Sequence, residues 1–186
     1  MRPMRYPIYA DFDDNSVVVY QAFRRSTVVE AQALGTFGRG FGFERTSWIK
    51  PSLGWIVHRT RHASRRRMDG VARIRLCRKA FDALLLESVE TKPRGLSEDD
   101  WRRRFQRARV IHQWDPDRAL DGRPLDRRAL QLGLRGREVL QPYVDEWIRS
   151  VTDVTEAVRA LRSDSTRPPE LPEERIYPWP SLTDHA

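Results

Sequence analysis

The sequence predicts an α+β domain in which a mixed or antiparallel sheet is flanked by helices. Residues 71–76 and 128–134 alternate in side-chain character, with Ala72, Ile74 and Leu76 or Leu130, Leu132 and Leu134 on one face. That period of two marks strands. "RKAFDALLLES" and "SEDDWRRRFQRA" instead carry helical patterning, the second with acids early and arginines late, as the helix dipole prefers. The predicted order is β-α-loop-α-β-α-α-β-β-α-α, without the regular alternation of a doubly wound sheet. A length of 186 residues suits one domain with its own core.

The elements follow in order. "VVVYQAF" at 17–23 is β-branched and aromatic and follows the turn-like "DDNS", so it reads as a buried strand. Thr27 and Glu30 have capping-box spacing, which predicts a helix over 28–34 stopped by Gly35. "GTFGRGFGF" is expected to be a mobile loop, and it lacks the strand-to-helix context of a dinucleotide fingerprint. Pro51 suits a first helical position, with Leu53, Ile56, Val57 and Thr60 as the buried stripe. Residues 110–114 predict a strand closed by an Asp115–Pro116 turn. Val139, Leu140, Tyr143, Val144, Trp147, Ile148 and Val151 predict one amphipathic helix over 139–151. Asp153 and Glu156 should cap a last helix with Val154, Val158 and Leu161 inward. The domain is expected to span 1–162, followed by a Pro-rich extended tail, 163–186, docked through Ile176, Tyr177 and Trp179.

The chain carries a net charge of +8, and 31 of its 34 basic residues are arginine. The segment 59–79, "RTRHASRRRMDGVARIRLCRK", holds nine cations and one anion, so the whole excess lies there. Arg61, Arg65, Arg66, Arg67, Arg73 and Arg75 are the candidate contacts to RNA or DNA. The alternative is a solvated basic face. No apolar run approaches the length of a membrane span, and the N-terminus has no apolar secretory core. The single Cys77 excludes an internal disulfide. A cytoplasmic location is expected.

"FERTSWIKPSLGWIVHR", residues 43–59, concentrates two tryptophans and several cations around one proline. Arg45, Lys50 and Arg59 suit phosphates. Trp48 and Trp55 suit stacking on a base or nicotinamide ring. Thr46 and Ser52 offer hydroxyls, and the free N–H groups at the start of the helix favour an anion. Tyr20 and Gln21 of the first strand complete the candidate cofactor contacts. The structural alternative is that the tryptophans simply pack in the core.

Acid/base candidates are few. His112 and Gln113 alternate on "VIHQW", and either faces a cleft or the core. Asp115 and Asp117 read as turn residues. His58 and His62 lack the glutamate of an HExxH site, and no metal is expected.

"VVVYQAF", "TSWIKPSLGW", "QWDPDR", "LQLGL", "YVDEWI" and the "ELPEERIYPWP" tail, in this order, resemble the DUF4291 family over nearly the whole chain. Trp48-Ile-Lys-Pro-Ser52 and Gln113-Trp-Asp-Pro116 are the specific blocks. The chain departs from that pattern at Tyr9, where arginine is usual, at His58 and His62, which replace tyrosine and tryptophan, and at Met68–Asp69, which replace Gln-Glu. At the level of fold, the opening strand, the helix ending in glycine, the aromatic-rich loop and the late strand bearing Gln131 look like the ADP-ribosyltransferase superfamily. That likeness implies a split central sheet, NAD gripped in its cleft, and Gln131 where those enzymes usually place a glutamate.

Two function classes follow. One is a nucleotide-handling enzyme, an NAD-using transferase with a nucleic-acid or phosphate-bearing acceptor, in which Gln131 and His112 are the candidate catalytic residues. The other is a non-catalytic RNA- or DNA-binding module built on 59–79. The first requires Trp48, Lys50, Arg59, His112 and Gln131 to converge on one cleft.

Overall fold

A computed structural model describes residues 4–179. Asp13 accepts from the backbone N–H groups of Asn15 and Ser16, and this turn launches strand β2, Ser16–Phe23, after a short β1, Tyr9–Ala10. Helix α1, Arg25–Leu34, ends on Gly35, whose φ of 74° is the left-handed geometry that glycine adopts without strain. The helix begins earlier than the capping-box spacing suggests, so Thr27 is a buried position inside it rather than its cap. The glycine-rich loop that follows is pinned. Phe37 and Phe41 are buried, stack at 5.1 Å, and lie against Phe23 and Tyr143. Apolar anchoring overrides the freedom its glycines suggest.

Strand β3 is Ser47–Ile49 and helix α2 is Leu53–Thr60. Ser52, not Pro51, starts that helix, accepting from Trp55 N–H at 3.1 Å. Trp48 is therefore on a strand, out of register with Trp55. Gly70–Cys77 (β4) leads into Arg78–Glu87 (α3), a two-residue strand Val89–Glu90 (β5) and Glu98–Arg107 (α4), which Ser97 caps. Val110–Arg118 (β6) and Pro124–Leu134 (β7) form a long antiparallel pair. The expected Asp115–Pro116 turn is instead strand, with a register shift between Pro116 and Arg118. Beyond the two residues paired with β5, β6 has a strand partner on one side only among the described residues, which is where a strand tolerates a residue without an N–H.

The segment 139–151 departs furthest from expectation. Helix α5 covers only Arg137–Pro142, a wide turn spans Tyr143–Trp147, and Ile148–Asp153 is strand β8. β8 pairs with β4, Val151 opposite Ile74 and Thr152 opposite Arg73. Pro142 cannot donate within a helix, and the β-branched Ile148, Val151 and Thr152 suit an open strand edge. The same apolar residues reach the core by either route. Thr155–Ala160 (α6) follows, with Asp153 accepting from Thr155 N–H at 3.0 Å. Arg175–Ile176 (β9) pairs with β1. Tyr177 and Trp179 are buried as expected, whereas Ile176 is exposed.

The result is a single α+β domain with six helices among the described residues. β2-β4-β8 form a three-stranded antiparallel sheet, and β3-β7-β6-β5 a mixed four-stranded one. The two meet at a bridge where Tyr20 N–H donates to Lys50 O at 2.7 Å and Lys50 N–H to Tyr20 O at 3.2 Å. The main core lies between them, with Val19, Ile74 and Leu76 facing Ile49, Leu130, Leu132 and Leu134. A second core packs Leu53, Ile56 and Val57 of α2 and Val158 of α6 on Val18, Tyr20 and Val71. Leu132 is fully buried, so Leu132→Ala is expected to cost about 3 kcal/mol in urea unfolding. A near-neutral result would mean that this strand face does not hold the core.

No helix among the described residues is long and apolar enough to cross a membrane.

Candidate functional site

Alternation along three paired strands builds a polar face on the outside of the four-stranded sheet. Ile49 points into the core, which turns Trp48 and Lys50 outward. Gln131 lies opposite Gln113, and Asp115 follows two residues on. Gly133 lies opposite Trp48, and a Cβ there would meet the indole at 3.1 Å and Ile111 at 2.8 Å, so the glycine lets the tryptophan lie close on the sheet.

Lys50 is the centre of this face. It is 7% exposed, yet among the described residues its ammonium meets only the Trp48 carbonyl at 3.3 Å and the Trp55 ring at 5.1 Å. Burial pushes its pKa down to about 7, and the charge of Arg59 adds to that, while Asp115 opposes it. Asp115 accepts from Gln113 Nε2 at 2.9 Å and from Gln131 Nε2. Its role is invisible if Asp-Pro is taken as a turn. The period-two spacing of Gln113, Asp115 and Gln131 on paired strands is the signal that finds it. Trp48 and Trp55 are both half-buried, and Arg59 is exposed at the rim. Arg45 is exposed, 6.0 Å from the Phe23 ring, and the Thr46 methyl lies beside Gly133.

Other candidates are placed elsewhere. His112 pairs with Leu132 and so points to the opposite side of the sheet from Gln131. There its Nδ1 lies 2.8 Å from Ser88 Oγ, in a separate cavity of about 530 Å³ bordered by Tyr6, Leu85 and Trp101. The expected convergence of His112 with Lys50 and Gln131 does not occur, because neighbouring strand positions face opposite sides. Gln21 is committed inside the protein, donating to Ser47 Oγ at 2.8 Å and accepting from Tyr143 at 2.6 Å. Tyr20 is buried beneath α2, and burial, then the charge of Glu174, raises its pKa.

The start of α2 already has its anion. Leu53 N–H donates to the Glu174 carboxylate at 2.8 Å, and Ser52 Oγ donates to Asp117 at 2.5 Å. Arg127 pairs with Asp117 at 2.7 Å, and Arg167 with Glu174 at 3.0 Å. Ser52 is therefore a cap, and the tail supplies the charge that the sequence suggests a ligand would bring.

The basic segment divides in two. Arg73 pairs with Asp11 at 2.8 Å and Arg75 with Asp13 at 2.7 Å. Arg61, Arg65, Arg66 and Arg67 are exposed. Arg61, His62 and Ala63 are consecutive left-handed residues with φ of 54°, 55° and 54°. Such geometry costs about 1–2 kcal/mol per residue. Hydrogen bonds hold it, His62 N–H to Val57 O at 2.9 Å and Ala63 N–H to Thr60 Oγ1 at 3.1 Å.

A family model described as "Domain of unknown function (DUF4291)" matches residues 7–177. No curated protein matches the chain.

Proposed function

The chain belongs to the DUF4291 family, and we propose that it is a nucleotide-handling enzyme whose ligand lies on the outer face of the four-stranded sheet, against Trp48, Lys50, Trp55 and Gln131. One observation carries this reading: a buried lysine whose ammonium lies over the half-buried Trp55 ring and on the Trp48 carbonyl, on the same face as a carboxylate held by two amides. In this reading Trp48 or Trp55 stacks on the heterocycle, and Arg59 takes the phosphate. Gln131 and Asp115 hydrogen-bond the sugar, and Lys50 sits level with it. Gln131 does not titrate, so a proton leaving the acceptor would go to Asp115, the carboxylate on that face. The finer form of the proposal is a transferase similar to the ADP-ribosyltransferases, using NAD and a nucleic-acid or phosphate-bearing acceptor.

A second reading, a non-catalytic RNA- or DNA-binding module, is favoured by the exposure of Arg61, Arg65, Arg66 and Arg67 on one strained turn. One experiment separates the two. Tryptophan fluorescence is titrated with NAD, ATP and a short RNA at several salt concentrations. The enzyme reading expects saturable nucleotide binding that Trp48→Ala weakens about tenfold or more and Trp48→Phe largely keeps. The module reading expects RNA binding alone, with the salt slope falling by about three when Arg65, Arg66 and Arg67 become alanine. If neither NAD nor ATP saturates at millimolar concentration, the nucleotide reading fails.

A further inference from the structure

Lys50 is the only buried lysine or arginine among the described residues, and it has no carboxylate within ion-pair distance there. Structural cations inside proteins are normally paired, because an isolated buried charge is costly. Asp115, which acts on Lys50 electrostatically, is already held by Gln113 and Gln131. Arg59, one turn along α2 from Trp55, is exposed and also acts on Lys50. A desolvated amine beside an exposed cation suits a substrate with an electrophilic carbon at one end and an anion at the other.

We propose that Lys50 is a nucleophile that condenses with the carbonyl carbon of a phosphorylated open-chain sugar, with Arg59 holding the phosphate. The Nζ lone pair forms the C–N bond as the carbonyl π bond opens to a carbinolamine. The C–O bond then breaks, and the oxygen leaves as water with the two hydrogens of the amine. The product is an imine, and no oxidant or reductant is consumed. The polar face supplies hydrogen bonds to the sugar hydroxyls through Gln131 and Asp115. Trp48 and Trp55 limit water around the new C=N bond.

Burial also supplies the reactive form of the amine. With its pKa pushed down to about 7, a substantial share of Lys50 is unprotonated at neutral pH. An ordinary exposed lysine has about one amine in a few thousand in that form. The chain's other two lysines, Lys79 and Lys92, are both exposed and serve as internal controls.

The inference uses the same corner as the nucleotide reading but does not need a nucleotide. Its test is reductive trapping of the full chain with ribose 5-phosphate and cyanoborohydride at pH 7, followed by peptide mapping. The expected result is one adduct at Lys50, formed at least about tenfold faster than at Lys79 or Lys92. Labelling should prefer ribose 5-phosphate to ribose about tenfold, and Arg59→Ala should abolish that preference. Lys50→Arg should leave only the slow background. Equal labelling of the three lysines, or none at Lys50, overturns the imine chemistry. An undiminished phosphate preference in Arg59→Ala overturns the anchor. Saturable nucleotide binding without Lys50 labelling removes the imine and keeps the nucleotide reading, and labelling without nucleotide binding does the reverse.

Discussion

Lys50→Met is expected to stabilise the protein, by up to about 4–5 kcal/mol at pH 6, while removing the amine from the site. The ordinary lysine pKa of 10.5 falls to about 7 in the fold, and each unit corresponds to about 1.36 kcal/mol. The folded state thus binds fewer protons than the unfolded state between these two values. The penalty is full below pH 7, and it is relieved as pH rises from about 7 to about 10.5. Methionine fills a similar volume and carries no charge to desolvate. The difference between variant and parent should be largest at pH 6 and close to zero by pH 10.5. Urea unfolding of both at several pH values measures it. A variant less stable than the parent at pH 6 would mean that the ammonium is well solvated or paired, and the reading of Lys50 as a strained functional group would fall. A gain in stability with a loss of binding or labelling is the usual exchange at a functional site.

Asp117→Ala is expected to cost about 3–5 kcal/mol, the range for removing one partner of a buried ion pair. Asp117 is fully buried and accepts from Ser52 Oγ at 2.5 Å, Arg118 N–H at 2.9 Å and Arg127 Nε at 2.7 Å. Its loss leaves a guanidinium short of its carboxylate and the cap of α2 without its anchor. Glu174 holds the next N–H of the same helix, so the loosened corner should also free the tail. Thermal unfolding gives the first effect, and limited proteolysis after residue 162 the second. Asp117→Asn keeps the shape and should cost less. A loss below about 1 kcal/mol in Asp117→Ala would show that Arg127 is satisfied by Glu174 alone, 4.0 Å away.

Much of the fold is legible in residue order. The strands at 17–23, 71–76 and 128–134 declare themselves by β-branching or by a period of two, and each proves longer than its pattern. The stripe of Leu53, Ile56, Val57 and Thr60 is buried as its spacing demands. The segment 139–151 misleads because spacings of three and four do not distinguish one helix from a short helix, a wide turn and a strand that bury the same side chains. The edge of β4 was open to a partner, and pairing with it outweighed helical propensity.

The candidate site divides in the same way. The aromatic and cationic richness of 43–59, the capping chemistry of Ser52 and the concentration of charge in 59–79 are properties of the sequence alone, because they depend on composition and near neighbours. Which of these groups are available depends on distant partners. Asp11 and Asp13 neutralise Arg73 and Arg75 from more than sixty positions away in the chain. Glu174 fills the helix start that the sequence leaves open. Strand alternation sends His112 and Gln131 to opposite sides, while pairing of β6 with β7 brings Asp115 to Gln131. The state of Lys50 is likewise decided by tertiary structure, since an amine is perturbed by desolvation and nearby charge, and both depend on α2, which brings Trp55 and Arg59 to it, and on β6, which brings Asp115.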